Sequence, residues 1–139
     1  MKRKIALLGV LVGILLAGNL FAGPETQPQA RLCVIWSSGD PEVATNVCFM
    51  YTLNAKKQGW FEVVHLVVWG PSAKLLVQNK DLQDQVKAMQ QAGVVTEACV
   101  TCANNYGVAD ELKKLSLDVK KMGPVLTERL KDNWKVLTF

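Results

Sequence analysis

The sequence predicts an α/β domain built on a parallel sheet with helices covering both faces. Short, continuous apolar runs at 32–36 (LCVIW) and 61–69 have the pattern of strands buried on both sides, and stretches with helical apolar spacing separate them. A further stretch, 92–108 (AGVVTEACVTCANNYGV), carries a β-branched run into Cys99-Val-Thr-Cys102 and on into residues that can begin a helix. Two thiols thus fall at a strand-to-helix junction, where unpaired N–H groups and aligned peptide dipoles favour thiolate over thiol.

The first 22 residues stand apart from this domain. Lys2, Arg3 and Lys4 form a cationic start, 5–17 is almost wholly apolar, and 20–22 (LFA) ends in the small residue that signal peptidase accepts. The expectation is a signal peptide over 1–22, cleaved after Ala22, and export to a bacterial periplasm. The apolar run is shorter than the roughly 20 residues of a membrane span. No cysteine follows it at a lipoprotein cleavage position, so no stable membrane anchor is expected after cleavage.

Of the 139 residues, 117 remain, enough for one domain with a real core. The net charge of +4 includes Lys2, Arg3 and Lys4, which leaves +1. No basic cluster survives, and nucleic acid is excluded as an expected partner. The four cysteines, Cys33, Cys48, Cys99 and Cys102, all lie in the exported part, where an oxidising compartment permits disulfides.

In chain order, 23–30 with Pro24 and Pro28 reads as a leader, and the domain runs over 31–139. A strand at 32–36 is broken by 37–40 (SSGD). Asp40 and Pro41 suit a helix start, and Ala44, Val47, Cys48, Tyr51 and Ala55 recur at helical spacing up to Gly59. The second strand over 61–69 stops at Gly70-Pro71. A short helix over 72–77 precedes a longer one over 81–93, with Leu82, Val86, Met89 and Ala92 on its inner stripe. The third strand, 94–98, leads into the thiols. A helical segment marked by Tyr106, Leu112 and Leu115 is divided near Gly107, a weak fourth strand spans 117–122, a last helix runs from Gly123-Pro124 to Leu130, and a fifth strand covers 134–139. In parallel sheets the chemistry lies outside the carboxyl ends of the strands. That edge gathers Trp36, Ser37 and Ser38 from strand one, Trp69 from strand two, and Cys99 and Cys102 from strand three.

This succession, with the VVHLVVWG second strand, a helical stretch ending in Ala-Gly-Val and a cysteine closing strand three, resembles the DsrE/DsrF-like family of sulfur-relay proteins across about 31–139. The resemblance implies a three-layer α/β/α domain with a five-stranded parallel sheet in order 4-3-2-1-5. It implies Cys99 as the sulfur carrier, held as a persulfide, and a homo-oligomer, trimer or hexamer. With that strand order, right-handed crossovers put the first connecting helices on one face and leave the other to the helix before strand five. Two features depart from the family pattern: CVTC stands where its carriers have a lone cysteine, and the chain has an export signal.

Three chemistries stay open for the pair. Cys99 can carry sulfur as a persulfide, with Cys102 as the resolving thiol and a sulfur donor or acceptor protein, or a small sulfur compound, as partner. The two can perform thiol–disulfide exchange. Or they form a structural disulfide in an oligomeric binding domain without catalysis, so sulfurtransferase-like or thiol-redox enzymatic activity is left undecided. Tyr106, four residues beyond Cys102, is expected to pack beside its thiol, with Trp36, Trp69, Ser37 and Ser38 around the pocket. One CxxC is half a zinc site, and neither metal nor cofactor is expected. Cys33 and Cys48 read as small core hydrophobes that could lie close enough to bridge, and His65, in mid-strand, as a structural histidine.

Overall fold

The computed structural model describes residues 30–139. The expected signal peptide over 1–22 and the leader over 23–30, except its last residue, lie outside them. Five strands, β1 (Arg31–Trp36), β2 (Val63–Val68), β3 (Val95–Cys99), β4 (Asp118–Lys120) and β5 (Lys135–Thr138), form one sheet in the order β4-β3-β2-β1-β5. Every pairing is parallel. Strand order and fold class are those the sequence and the resemblance predict.

The β1–β2 connection comprises α1 (Pro41–Val43), a π-helical segment (Ala44–Phe49) and α2 (Met50–Lys57). Asp40 caps its start by accepting from the backbone N–H groups of Glu42 and Val43, and Pro41 occupies the first turn, where its missing N–H costs nothing. The π segment departs from the regular helix expected there. Below it the Thr52 hydroxyl donates to the Cys48 carbonyl at 2.6 Å, supplying that wider stretch with a side-chain partner. Helices α3 (Pro71–Gln78) and α4 (Lys80–Gln91) join β2 to β3, and α5 (Val100–Asn105) and α6 (Ala109–Lys114) join β3 to β4. Helix α7 (Met122–Lys131) alone leads to β5.

Alternation along the strands sorts the residues between two faces. Leu32, Val34, Trp36, Val64, Leu66, Val68 and Ala98 point to the first face, where they join Phe49, Leu76, Leu82, Met89 and Leu112 from the helices between β1 and β4. Cys33, Ile35, Val67 and Cys99 point to the second, under Met122, Val125 and Leu126 of α7. The second face is therefore covered by one helix, as the crossover rule requires for this strand order. Cys48 lies on the first face and Cys33 on the second, so the sheet separates them and they cannot bridge. Both are free and fully buried, and burial pushes the Cys48 thiol up to about 12 against a hydrogen bond with Thr52.

Candidate functional site

The carboxyl edge of the sheet is held together by backbone and hydroxyl bonds. Ser72, at the start of α3, donates its hydroxyl to the Trp36 carbonyl at 2.6 Å, while the Trp69 N–H reaches that carbonyl at 3.0 Å. A single buried serine so ties the ends of β1 and β2. The chain's last carbonyl, on Phe139, accepts from the Ser37 N–H at 2.7 Å, the Ser37 hydroxyl at 3.0 Å and the Ser38 N–H at 3.2 Å. Ser38 in turn accepts from the Asp40 N–H through its hydroxyl. Ser37 and Ser38, expected around the pocket, spend these groups on fastening the C-terminus and the loop.

Cys99 is both the last residue of β3 and the N-cap of α5, with extended backbone (φ −73°, ψ 114°). Cys99 is 5% exposed, whereas Cys102, one turn on, is half-buried. The two thiols are neighbours at this edge, and the Cys99 thiol and the Gly70 backbone both act on the Cys102 thiol. Gly70 takes φ +75° to make that turn, a conformation open to glycine and strained for other residues. Burial raises the Cys102 pKa; the Gly70 N–H opposes this, and the adjoining Cys99 thiol adds to it. Thiols one helical turn apart can share a proton or, on oxidation, form a direct bond.

Trp69 packs against the same cluster as Cys99 and Cys102. Trp36 does not, and its placement corrects the expectation of a pocket residue. It occupies a first-face position on β1, fully buried with its ring edge-on to Phe49 at 4.8 Å. Strand alternation sends it to the side opposite Cys99. Among the described residues its indole N–H is a buried polar group without a partner. Tyr106 is the C-cap of α5, with its N–H on the Cys102 carbonyl at 3.0 Å and its side chain 42% exposed.

Beneath the thiols lies a charged cluster that sequence reasoning missed. Glu97, two residues before Cys99 on the second face of β3, is buried. One guanidinium nitrogen of Arg129, from α7, lies 2.9 Å from Glu97 Oε1 and 2.7 Å from Oε2. Lys120 Nζ lies 2.7 Å from Oε1, and His65 Nδ1 is 3.0 Å from Oε2. Burial by itself raises the Glu97 pKa, but the bonds from His65, Lys120 and Arg129 and the Arg129 charge outweigh it and hold the carboxyl at about 2. Arg129 also points a nitrogen at Cys33 Sγ, at 3.6 Å, and stacks over Trp134, whose ring meets His65 edge-on. The structural role read for His65 is this one. The signal for the rest was a lone carboxylate inside the apolar run VVTEAC, since a charge in a buried strand requires a partner.

Lys120 joins the cluster from β4. It is the register partner of Cys99 across β3 and β4, and its ammonium also bonds Asp118 at 2.6 Å. Those bonds raise its pKa: Asp118 contributes most, then Glu97, against burial. Among the described residues no group of three or more His, Cys, Asp or Glu side chains is placed to hold a metal ion, and no helix is long and apolar enough to cross a membrane.

A parallel α/β sheet in this order, with one cysteine closing its third strand and a second in the helix that follows, defines a class of thiol-bearing α/β proteins. The chain belongs to the DsrE/DsrF-like family, whose model matches residues 30–139. That family is generally one of sulfur relay. The structure of a conserved protein of unknown function, BT1422 from Bacteroides thetaiotaomicron, is similar with a TM-score of 0.76 and 35% identity, covering 78% of this chain and 94% of that one. The ychN protein from E. coli shares the fold, with a TM-score of 0.62 and 13% identity over 80% of this chain and all of that one. No curated protein matches.

Proposed function

We propose that this protein is an exported thiol protein of the sulfur-relay type, in which Cys99 carries sulfane sulfur as a persulfide and Cys102 is the resolving thiol. The observation that carries this reading is the placement of the two thiols, Cys99 closing β3 at its carboxyl end and Cys102 one helical turn on, packed against the same cluster. A Cys99 thiolate attacks the sulfane sulfur of a polysulfide or persulfide donor, forms Cys99–S–SH and expels the donor's remaining sulfur as thiolate. In release, the Cys102 thiolate attacks Cys99 Sγ, the bond to the outer sulfur breaks, hydrosulfide leaves with the electron pair, and a Cys99–Cys102 disulfide remains. A dithiol reductant then restores the pair.

Loading the protein with polysulfide and measuring intact mass tests this. The expected result is a sulfur adduct of 32 Da (about the mass of one S) that persists in Cys102→Ser and decays in the wild type as the disulfide forms. Absence of added sulfur on Cys99 in both forms overturns it. The same placement favours thiol–disulfide exchange as a second reading; insulin reduction no faster than background removes that one.

Export rests on the 1–22 segment, and protease protection in intact cells tests it. Homo-oligomerisation as a trimer or hexamer is supported by the thin cover of the second face, where Val95 is 45% exposed, and by Leu130, 59% exposed on α7. Sedimentation of a monomer alone at micromolar concentration would count against it.

A further inference from the structure

We propose that Lys120 is a positioning residue that supplies the counter-charge for the Cys99 sulfur anion. This deepens the reading of Cys99 as the sulfur-bearing thiol. Three observations support it. The first is register: Lys120 sits directly across from Cys99 in a parallel pair, so the two side chains leave the same face of strands about 4.8 Å apart.

The second is the charge balance of that face. Its titratable and charged groups are Arg31, paired with Asp132, and Cys33 on β1, His65 on β2, Glu97 and Cys99 on β3, Asp118 and Lys120 on β4, Cys102 on α5 and Arg129 on α7. Arg129 already meets both oxygens of Glu97. Lys120 bridges Glu97 and Asp118, so two cations balance two carboxylates before any sulfur ionises; a Cys99 anion is an added charge, and Lys120 is the cation whose second carboxylate lies at the solvent edge.

The third is freedom to move. The Lys120 side chain is 37% exposed and that of Asp118 58% exposed, whereas Glu97 is 1% exposed. A flexible four-carbon stem lets the ammonium keep its bond to Glu97 while its second contact passes from Asp118 to the neighbouring sulfur. Glu97, fixed by Arg129 and His65, is the anchor of that movement. No bond is made or broken by Lys120. It stabilises the negative sulfur of the thiolate before loading and of the persulfide afterwards, which biases the site towards sulfur that arrives and leaves as an anion.

The test is the rate of Cys99 alkylation by iodoacetamide against pH, resolved by residue with mass spectrometry, in the full chain. Lys120→Met is expected to move the midpoint upward and slow the reaction at pH 7 about tenfold, and Lys120→Arg to keep the wild-type profile. Asp118→Asn, which releases the ammonium, is expected to move the midpoint downward. Opposite shifts in the two variants are not produced by loosening of the fold, and Asp118→Asn keeps the test alive if Lys120→Met does not fold. Coincident profiles, or shifts in the same direction, overturn the proposal. Polysulfide loading is scored separately. Shifted profiles in a protein that takes up no sulfur sustain the counter-charge and sink the carrier reading, while normal loading with unshifted profiles does the reverse.

Discussion

On the first face of the sheet, Leu32, Val34, Trp36, Val64, Leu66 and Val68 meet the helices between β1 and β4 with no charged side chain buried among them. On the second face, the neighbouring residues of the same strands are Cys33, His65, Glu97 and Cys99, and one helix brings Arg129 to them. The first face is held by apolar area and close packing, which have no directional requirement. The second depends on a carboxylate whose desolvation is offset by three named partners. Both thiols of the candidate site pack with the second face. Burial raises the thiol on both faces, but for Cys48 only a neutral hydrogen bond opposes it, whereas for Cys33 on the second face the Arg129 charge and hydrogen bond do.

The largest way to break the contrast is to remove one member of the ion pair. Arg129→Met leaves Glu97 buried with Lys120 and His65 only, and is expected to cost about 3–5 kcal/mol in denaturant unfolding. Adding Glu97→Leu to that variant is expected to recover most of the loss, because an apolar pair leaves no charge uncompensated. A double variant as unstable as the single one would mean that the second face needs its charges for more than mutual neutralisation.

The next effect is on pH. Glu97 is held at about 2, below its ordinary 4.5, so its contribution is fully present above about pH 5 and is lost as pH falls through 2. That shift corresponds to about 3 kcal/mol at one pKa unit per 1.36 kcal/mol. Glu97→Gln is expected to flatten the acid limb of stability against pH, whereas Leu66→Ala on the first face lowers stability at every pH and keeps the limb. Parallel acid limbs in the wild type and Glu97→Gln would place the acid sensitivity elsewhere.

The sequence made the first face legible and left the second largely unread. Periodicity and apolar runs located every strand and helix to within a few residues, because a core built from area writes itself as a pattern. Strand order came from resemblance to a family, since pairing partners leave no local trace. The charged cluster draws Glu97, Lys120, Arg129 and His65 from four separate elements, and only the fold brings them together. Trp36 departs from the edge for a local reason: it is the last residue of its strand, but alternation from Leu32 and Val34 directs it into the first-face core. The π segment interrupts a run whose helical spacing gives no notice of it.

The smallest difference between the faces is measured by their two buried thiols. Cys48→Ser puts a hydroxyl into apolar packing beside Thr52, a neutral partner whose own proton already goes to the Cys48 carbonyl, and is expected to cost about 1–3 kcal/mol. Cys33→Ser puts the same hydroxyl opposite the Arg129 guanidinium nitrogen now 3.6 Å from the sulfur, which can donate to it. The second substitution is therefore expected to cost less, by about 1 kcal/mol, in parallel urea titrations. Equal losses would mean that Arg129 is held so firmly by Glu97 that it cannot close the gap to a shorter side chain. In that case the second face would be as unyielding as the first, with its rigidity set by charge.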